Sequence, residues 1–312
     1  MTASAHTIAL LVPGAMGAGI AARLSASGAG TILTNLEGRS EATIQRARSS
    51  NMQHASYTEI VERATCIYSV VPPVDAFSLA ESVVNAYKAA SSTRELIFVD
   101  CNAVNPDSVK RMATLFNGTS ITFLDGVIIG TPPSETFNPG IYVAAAPNDA
   151  AALDSFTRMS TEFGLNIIPL KGEGAGIGDA SALKMAHAGI VKGAIGLFTT
   201  MILAANAASP STAEGLLHAL NLSQPAFVDL IIRLLPPMPA KAYRFVGEME
   251  EVGGFVGAGS PEAQTFEGLA GTFARVASGV VVAAAEDRPS GEVDLLLEFV
   301  EQARETRAKR DD

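Results

Sequence analysis

Apolar and polar positions change period once along this chain, and the change divides it in two. In the first half, short apolar runs bounded by Gly, Pro or Asn predict strands over 8–12, 31–35, 66–71, 96–100, 122–128, 141–145 and 165–170. Between them apolar residues recur at helical spacing, predicting helices over 15–27, from about 40 onward, and over 74–90, 105–116 and 149–163. Such β-α-β alternation builds an α/β domain with a mostly parallel, doubly wound sheet. After Lys171 a glycine-rich connection, KGEGAGIGDA, leads into one helical pattern over 179–208, and almost nothing beyond it reads as strand. Ser211 and Glu214 have the spacing of a capping box that opens the next helix. The expected domains are therefore residues 1–171, α/β, and residues 172–312, all-helical, with no internal repeat.

Composition narrows the class. The chain has 312 residues, 48% of them hydrophobic, and a mean hydropathy of +0.26, enough for two sizeable cores. A net charge of −10 repels phosphate backbones, so no nucleic-acid partner is expected. One phosphate-bearing cofactor can still be held by local dipoles and a single arginine. Cys66 and Cys101 are the only cysteines, which makes a reducing, cytoplasmic setting the expectation. His6, His54, His187 and His218 show no metal-ligand spacing, and no metal is expected. The start MTASAHTIALL lacks a basic region, so no signal peptide is expected. Residues 189–208 are strongly apolar, interrupted by Lys192 and Asn206. They read as a buried helix of a soluble protein rather than a membrane span, with Gly189, Gly193 and Gly196 suited to close helix packing. Residues 277–285 are apolar but too short to span. The tail EQARETRAKRDD reads as a solvated helix end.

The first strand runs into LLVPGAMGAGIAARL. Gly14 and Gly17 take the second and third glycine positions of a G-x-G-x-x-G turn, and Val12 holds the first. Gly14 lets a pyrophosphate approach the backbone, and Gly17 lets the helix pack close to the strand. The helix start at Ala15 and Met16 offers free N–H groups and a positive dipole end. Val12 is compatible with this turn if it keeps an ordinary β conformation. The context is that of a Rossmann-type dinucleotide site. The second strand ends in TNLEGRS, with Asn35 where NAD-preferring sites place an acid. Arg39 and Ser40 could grip a 2′-phosphate, with Glu37 opposing them. NADP(H) is the expected cofactor and NAD(H) the second choice.

The chemistry-bearing segment is GDASALKMAHAGIVKG. Lys184 and His187 are three apart and share a helix face. A lysine desolvated in this apolar run has its pKa lowered and can exchange protons near neutrality; the alternative is a lysine snorkelling to solvent. LKMAHAGIVKG resembles the catalytic helix, K-M-V-H-N-G-I-E, of the 6-phosphogluconate dehydrogenase and β-hydroxyacid dehydrogenase superfamily. Other segments resemble that family in order. VPGAMGAGIAARL is similar to its cofactor turn, and SVVPP, with Val70, Val71 and Pro72, to the segment lying along the cofactor. VDCNAVNP is similar to D-x-S-T-x-x-P and FLDGVIIG to D-A-P-V-S-G. The likeness spans roughly 7–208. AYRFVGEMEEVGGF resembles the helical domain of a phosphogluconate dehydrogenase-like branch; its Arg244, Glu248, Glu250 and Glu251 read as a charged helix face, with a pocket contribution as the alternative. The resemblance implies a small-molecule substrate in a cleft between the domains. It also implies proton transfer by Lys184, and substrate contacts from Asn102, the backbone near Gly130, and His187. A homodimer built through the helical domain is implied as well.

Four departures refine that picture. Asn102 stands for the family serine, Ile129 for the serine of V-S-G, Ala188 for asparagine, and Val191 for the glutamate of decarboxylating members. Valine has no proton to give, so decarboxylation by that route is not expected. A polyol phosphate would leave polar groups unmet at about 1–3 kcal/mol each, which favours a smaller or partly hydrophobic substrate. The expected activity is an NADP-dependent oxidoreductase acting on a 3-hydroxy acid or related carbonyl compound. The alternatives are an imine reductase and a cofactor-binding protein without catalysis.

Overall fold

A computed structural model of the chain describes residues 6–286 and 290–311. Residues 1–5 of the N-terminal stretch read for a signal peptide, and the last tail residue, 312, lie outside the described residues. The chain forms two compact units, Met1–Lys184 and Met185–Asp312.

The first unit is built on eight strands: β1 (Ile8–Leu11), β2 (Ile32–Thr34), β3 (Met52–His54), β4 (Cys66–Ser69), β5 (Leu96–Asp100), β6 (Ile121–Ile129), β7 (Gly140–Ala145) and β8 (Asn166–Pro169). Their order in the sheet is β3-β2-β1-β4-β5-β6-β7-β8. All neighbours are parallel except β6 and β7, which run antiparallel. Helices α1 (Ala15–Leu24), α2 (Glu41–Ser49), α3 (Tyr57–Arg63), α4 (Pro73–Ala89), α5 (Pro106–Thr114) and α6 (Ala150–Glu162) connect them. Side-chain alternation explains the two-sided core. Ile8 and Leu10 join Ile20, Leu24 and Phe156 on one face, and Ala9 and Leu11 join Ile60, Val83 and Phe98 on the other. From β1 the strand order proceeds in both directions, and ligands of such sheets bind where it reverses, at the carboxyl ends of the strands.

Two elements escape the hydrophobic pattern. Strand β3 is the short edge sequence MQH, too polar to show alternation. Helix α3 announces itself only by its cap: Ser56 accepts from the Glu59 N–H while the Glu59 carboxylate accepts from the Ser56 N–H. Two expected boundaries are corrected. Helix α1 ends at Leu24, and a π-helical turn over Ser25–Ala29 follows, closed by Gly28 at φ 95°. The expected capping box at Ser211 is replaced by Ser209, whose hydroxyl accepts from the Thr212 N–H, because Pro210 already occupies the first helical position.

The division between the units falls within α7 (Asp179–Ala208), not at the change of pattern near 171. The first turns of α7 are held by the sheet unit, as described below. In the second unit α7 is joined by α8 (Pro210–Ser223), α9 (Pro225–Leu234), α10 (Ala242–Gly257), α11 (Pro261–Glu286) and α12 (Gly291–Asp311). Its core includes Met185, Ile195, Val228, Met249, Phe273 and Phe299. The α7 glycines admit close neighbours: a Cβ on Gly196 would lie 2.9 Å from Leu269 Cδ2, and one on Gly189 3.1 Å from Val252 Cγ1. Helices α7 and α11 are both long and apolar enough to cross a bilayer, with 28% of the relevant window buried in each. The stretch 277–285, read as too short, is thus the end of a 26-residue apolar helix. Lys192, the charge inside α7, is paired with Glu248 of α10 and stands 5.4 Å from the centre of the Phe245 ring. Glu248 therefore turns inward, unlike the solvated face expected of its segment.

Candidate active site

The turn after β1 takes an unusual route. Val12 has φ 64°, left-handed rather than the β conformation expected of it. A β-branched residue there stores about 1–3 kcal/mol of strain. The bend brings the Gly14 N–H to 2.8 Å from the Val12 carbonyl and directs the chain into α1, which no side chain caps. Ala15 and Gly14 are exposed, Met16 is half-buried, and Gly17 is buried. A Cβ on Gly17 would lie 2.8 Å from Leu10 Cδ2 and 3.2 Å from the Val12 oxygen, with Val70 Cβ at 3.8 Å. Gly17 thus packs the helix onto both the first strand and the end of β4. A Cβ on Gly14 would meet nothing within 4 Å. Uncapped N–H groups beside open space fit a pyrophosphate. Arg46 of α2 steadies the turn from outside, donating to the Pro13 carbonyl at 3.1 Å; its place in the sequence gave no sign of this.

At the end of β2, Asn35 is buried and its side chain shapes the loop. Its Oδ1 accepts from the Glu37 N–H at 3.1 Å and its Nδ2 donates to the Ala55 carbonyl at 3.4 Å. His54, from the unforeseen strand β3, accepts from the Leu36 N–H at its Nδ1, 3.1 Å. Ser40 caps α2, accepting from the Thr43 N–H. Arg39 is exposed at the rim. Burial raises the Tyr57 hydroxyl above its ordinary range, opposed by the Arg39 charge and reinforced by Glu37.

Between β4 and β6 lies a buried polar cluster. Asn102 is 2% exposed and fully engaged. It accepts from the Val71 N–H at 2.7 Å and donates to Ser69 Oγ and to Asp100 Oδ1. The amide expected to orient a substrate acid group ties the Val70–Val71–Pro72 segment to the end of β5. Asp100 stands in register with Asp125 on β6, and both are fully buried. Burial pushes the Asp100 carboxyl up to about 7, opposed by the Asn102 hydrogen bond and reinforced by the Asp125 charge. Asp100 Oδ2 has no hydrogen-bond partner. Burial also raises Asp125, against hydrogen bonds from Ser181, Gly178 and Ala180 that favour its charged form.

Lys184 is half-buried, and its ammonium donates to the Ile128 carbonyl at 2.8 Å near the end of β6. Gly130 follows two residues later at φ 134°, where a Cβ would collide with the Phe137 ring at 2.7 Å. The loop beyond is seated on α1: a Cβ on Gly19 would lie 2.9 Å from Pro133 Cδ, and Arg23 donates to the Ser134 carbonyl at 3.3 Å. Lys184 and the backbone before Gly130 thus come together, as do Gly17 and Val70, and Asn102 and Val71. His187 is exposed and belongs to the second unit. Among the described residues no three His, Cys, Asp or Glu side chains cluster as metal ligands. Sequence reasoning passed over Asp100 and Asp125, although a lone acid within a buried apolar strand is itself a signal.

Residues 7–160 match the NAD binding domain of 6-phosphogluconate dehydrogenase, and residues 207–276 match a domain of unknown function, DUF1932. No curated protein sequence matches the chain. Several solved structures share its fold. A conserved hypothetical protein from Sinorhizobium meliloti is 21% identical, over 95% of this chain and 97% of that one, with a TM-score of 0.70. The 3-hydroxyisobutyrate dehydrogenase of Mycobacterium tuberculosis, solved with L-serine, is 15% identical over 93% and 99%, TM-score 0.61. A variant imine reductase from Myxococcus stipitatus, in complex with NAD+, is 17% identical over 95% and 99%, TM-score 0.54.

Proposed function

We propose that this chain, whose residues 7–160 belong to the NAD binding domains of 6-phosphogluconate dehydrogenase, is an NADP-dependent oxidoreductase acting on a 3-hydroxy acid or a related carbonyl compound. The observation that carries the reading is Lys184, held by the Ile128 carbonyl at the end of β6 in the same compact unit as the uncapped glycine turn. A nicotinamide dinucleotide, when bound, supplies the hydride donor or acceptor. Its phosphates would rest on the N–H groups of Gly14 to Gly17, and Val70 to Pro72 would line its course. The absence of an acid at Asn35 and the exposed Arg39 favour the 2′-phosphate form. In oxidation, neutral Lys184 accepts the hydroxyl proton as the hydride leaves the substrate carbon. In reduction, its ammonium polarises the carbonyl and returns a proton to the oxygen. Val191 offers no acid for protonating an enol, so the product keeps its carbon skeleton.

Lys184→Ala should lower turnover by about 10²–10⁴-fold while NADPH binding, followed by fluorescence, stays intact. Full turnover in that variant would end the reading, and stoichiometric release of CO2 would contradict the role assigned to Val191. Apolar Ile129 and Ala188 support an imine substrate as the second reading; a panel of 3-hydroxy acids and cyclic imines separates the two. Binding of NADPH with no turnover on any of them would favour a non-catalytic protein. Arg39→Ala should lose the preference for NADPH over NADH. A cytoplasmic homodimer completes the proposal: Ile190, Leu197 and Met201 on one face of α7 are 74%, 55% and 52% exposed, an apolar stripe that a second copy would cover.

A further inference from the structure

We propose that Asp125 is the positioning residue of this site, fixing the start of α7 against β6 so that Lys184 meets the Ile128 carbonyl. The inference rests on the reading of Lys184 as the proton-transfer group. Asp125 Oδ2 accepts from the backbone N–H groups of Gly178, Ala180 and Ser181 at 2.8, 3.0 and 3.2 Å, and Oδ1 accepts from the Ser181 hydroxyl at 2.8 Å. Those amides are donors that the first turn of a helix cannot satisfy internally, and they sit at the positive end of the helix dipole. The anchor of the helix therefore comes from a strand more than fifty residues earlier in the chain. It is a single buried carboxylate.

The geometry makes this anchor a control on Lys184. Ser181 and Lys184 are three residues apart and face the same way. Asp125 and Ile128 lie on one strand. Two attachments to β6, one at each residue, fix both the height and the rotation of the first turns of α7. The lead-in provides no such control, because Gly172, Gly174 and Gly178 all have positive φ and a glycine-rich segment is conformationally permissive. Burial raises both Asp125 and Asp100, which stand in register, and the hydrogen bonds from Ser181, Gly178 and Ala180 favour the charged form of Asp125 where the amides converge.

The test uses the full chain with Ser181→Ala, which removes one of the four bonds, and Asp125→Asn, which turns an amide group toward N–H donors. The readout is the titration of Lys184, followed by NMR with 13Cε-labelled lysine and assigned by the resonance missing in Lys184→Met. Both variants should displace that titration, Asp125→Asn more than Ser181→Ala. The turnover number should fall several-fold in Ser181→Ala and ten- to a hundredfold in Asp125→Asn, with KM and NADPH affinity little changed. A lowered melting temperature with an unchanged Lys184 titration in the variants that fold would overturn the inference and leave Asp125 a stabilising cap only. If Asp125→Asn does not fold, Ser181→Ala decides alone. Retained turnover in Lys184→Ala would sink the catalytic reading instead, and the titration would still report on the anchor.

Discussion

The two units treat buried polarity and exposed apolar surface in opposite ways. The sheet unit buries Ser69, Asp100, Asn102 and Asp125 in its interior and connects most of their polar atoms. Most of its apolar residues are buried under helices on both faces of the sheet, and Val74, Phe77 and Phe137 stay exposed. The helical unit buries fewer polar groups, chiefly Thr199 and Thr272, and leaves Ile190, Leu197, Met201 and Val281 largely exposed. The sheet unit therefore concentrates its unusual chemistry inside. The helical unit has more apolar surface left over, which is the basis of the proposed second copy.

That contrast can be broken at several points. The largest effect is expected from Leu197→Glu, which places a charge on the exposed α7 stripe. It should weaken a dimer about a hundredfold or more without unfolding the chain, as read by sedimentation velocity. A wild-type chain that sediments as a monomer would remove the second half of the comparison.

Next comes Asp100. Its folded pKa of about 7 lies above the unfolded value near 3.9. The protonated form is thus favoured by folding, and its contribution is complete below about pH 4. It is lost as pH rises through 7. Denaturant unfolding should show wild-type stability declining over that window by on the order of a few kcal/mol, with the decline smaller in Asp100→Asn, where the buried Asp125 carboxyl is still raised. Equal pH dependence in both proteins would show that Asp100 does not hold the proton.

A smaller effect separates two glycines. Gly17→Ala in the sheet unit should cost about 1–3 kcal/mol, because its Cβ would press on Leu10 and the Val12 carbonyl. Gly193→Ala in α7 meets Phe266 only at 3.7 Å and should be neutral or stabilising by up to about 1 kcal/mol. Comparable losses at both would mean that the helical unit is as tightly packed as the sheet unit. The smallest change is expected from Val12→Gly. Relief of the left-handed strain and the added freedom of the unfolded chain oppose each other, leaving stability within about 1 kcal/mol. A loss well beyond that would mean the valine side chain contributes packing that outweighs its strain.

The doubly wound sheet, the glycine turn and the full extent of α7 were legible in the sequence, because each depends on local periodicity or, at Gly17, on a close approach that a side chain would block. Strand β3 was not legible: three residues at a sheet edge carry no period, and their pairing with β2 is a long-range hydrogen-bond pattern. Val12 misled for a related reason. Its side chain argues for β geometry, and the closure of the turn onto Gly14 outweighs that preference.

The candidate site divides along the same line. That Lys184 stands on an apolar helix, and that Gly14 and Gly17 open another, follows from residue order alone. The carbonyl that receives the lysine, the bonds of Asn102 to Val71 and Ser69 and of Asn35 to Ala55, and the four bonds gathered by Asp125 were decided only when distant segments met. Hydrogen-bond partners are set by three-dimensional proximity within a few tenths of an ångström, and periodicity along a chain carries no information about which far strand will supply them.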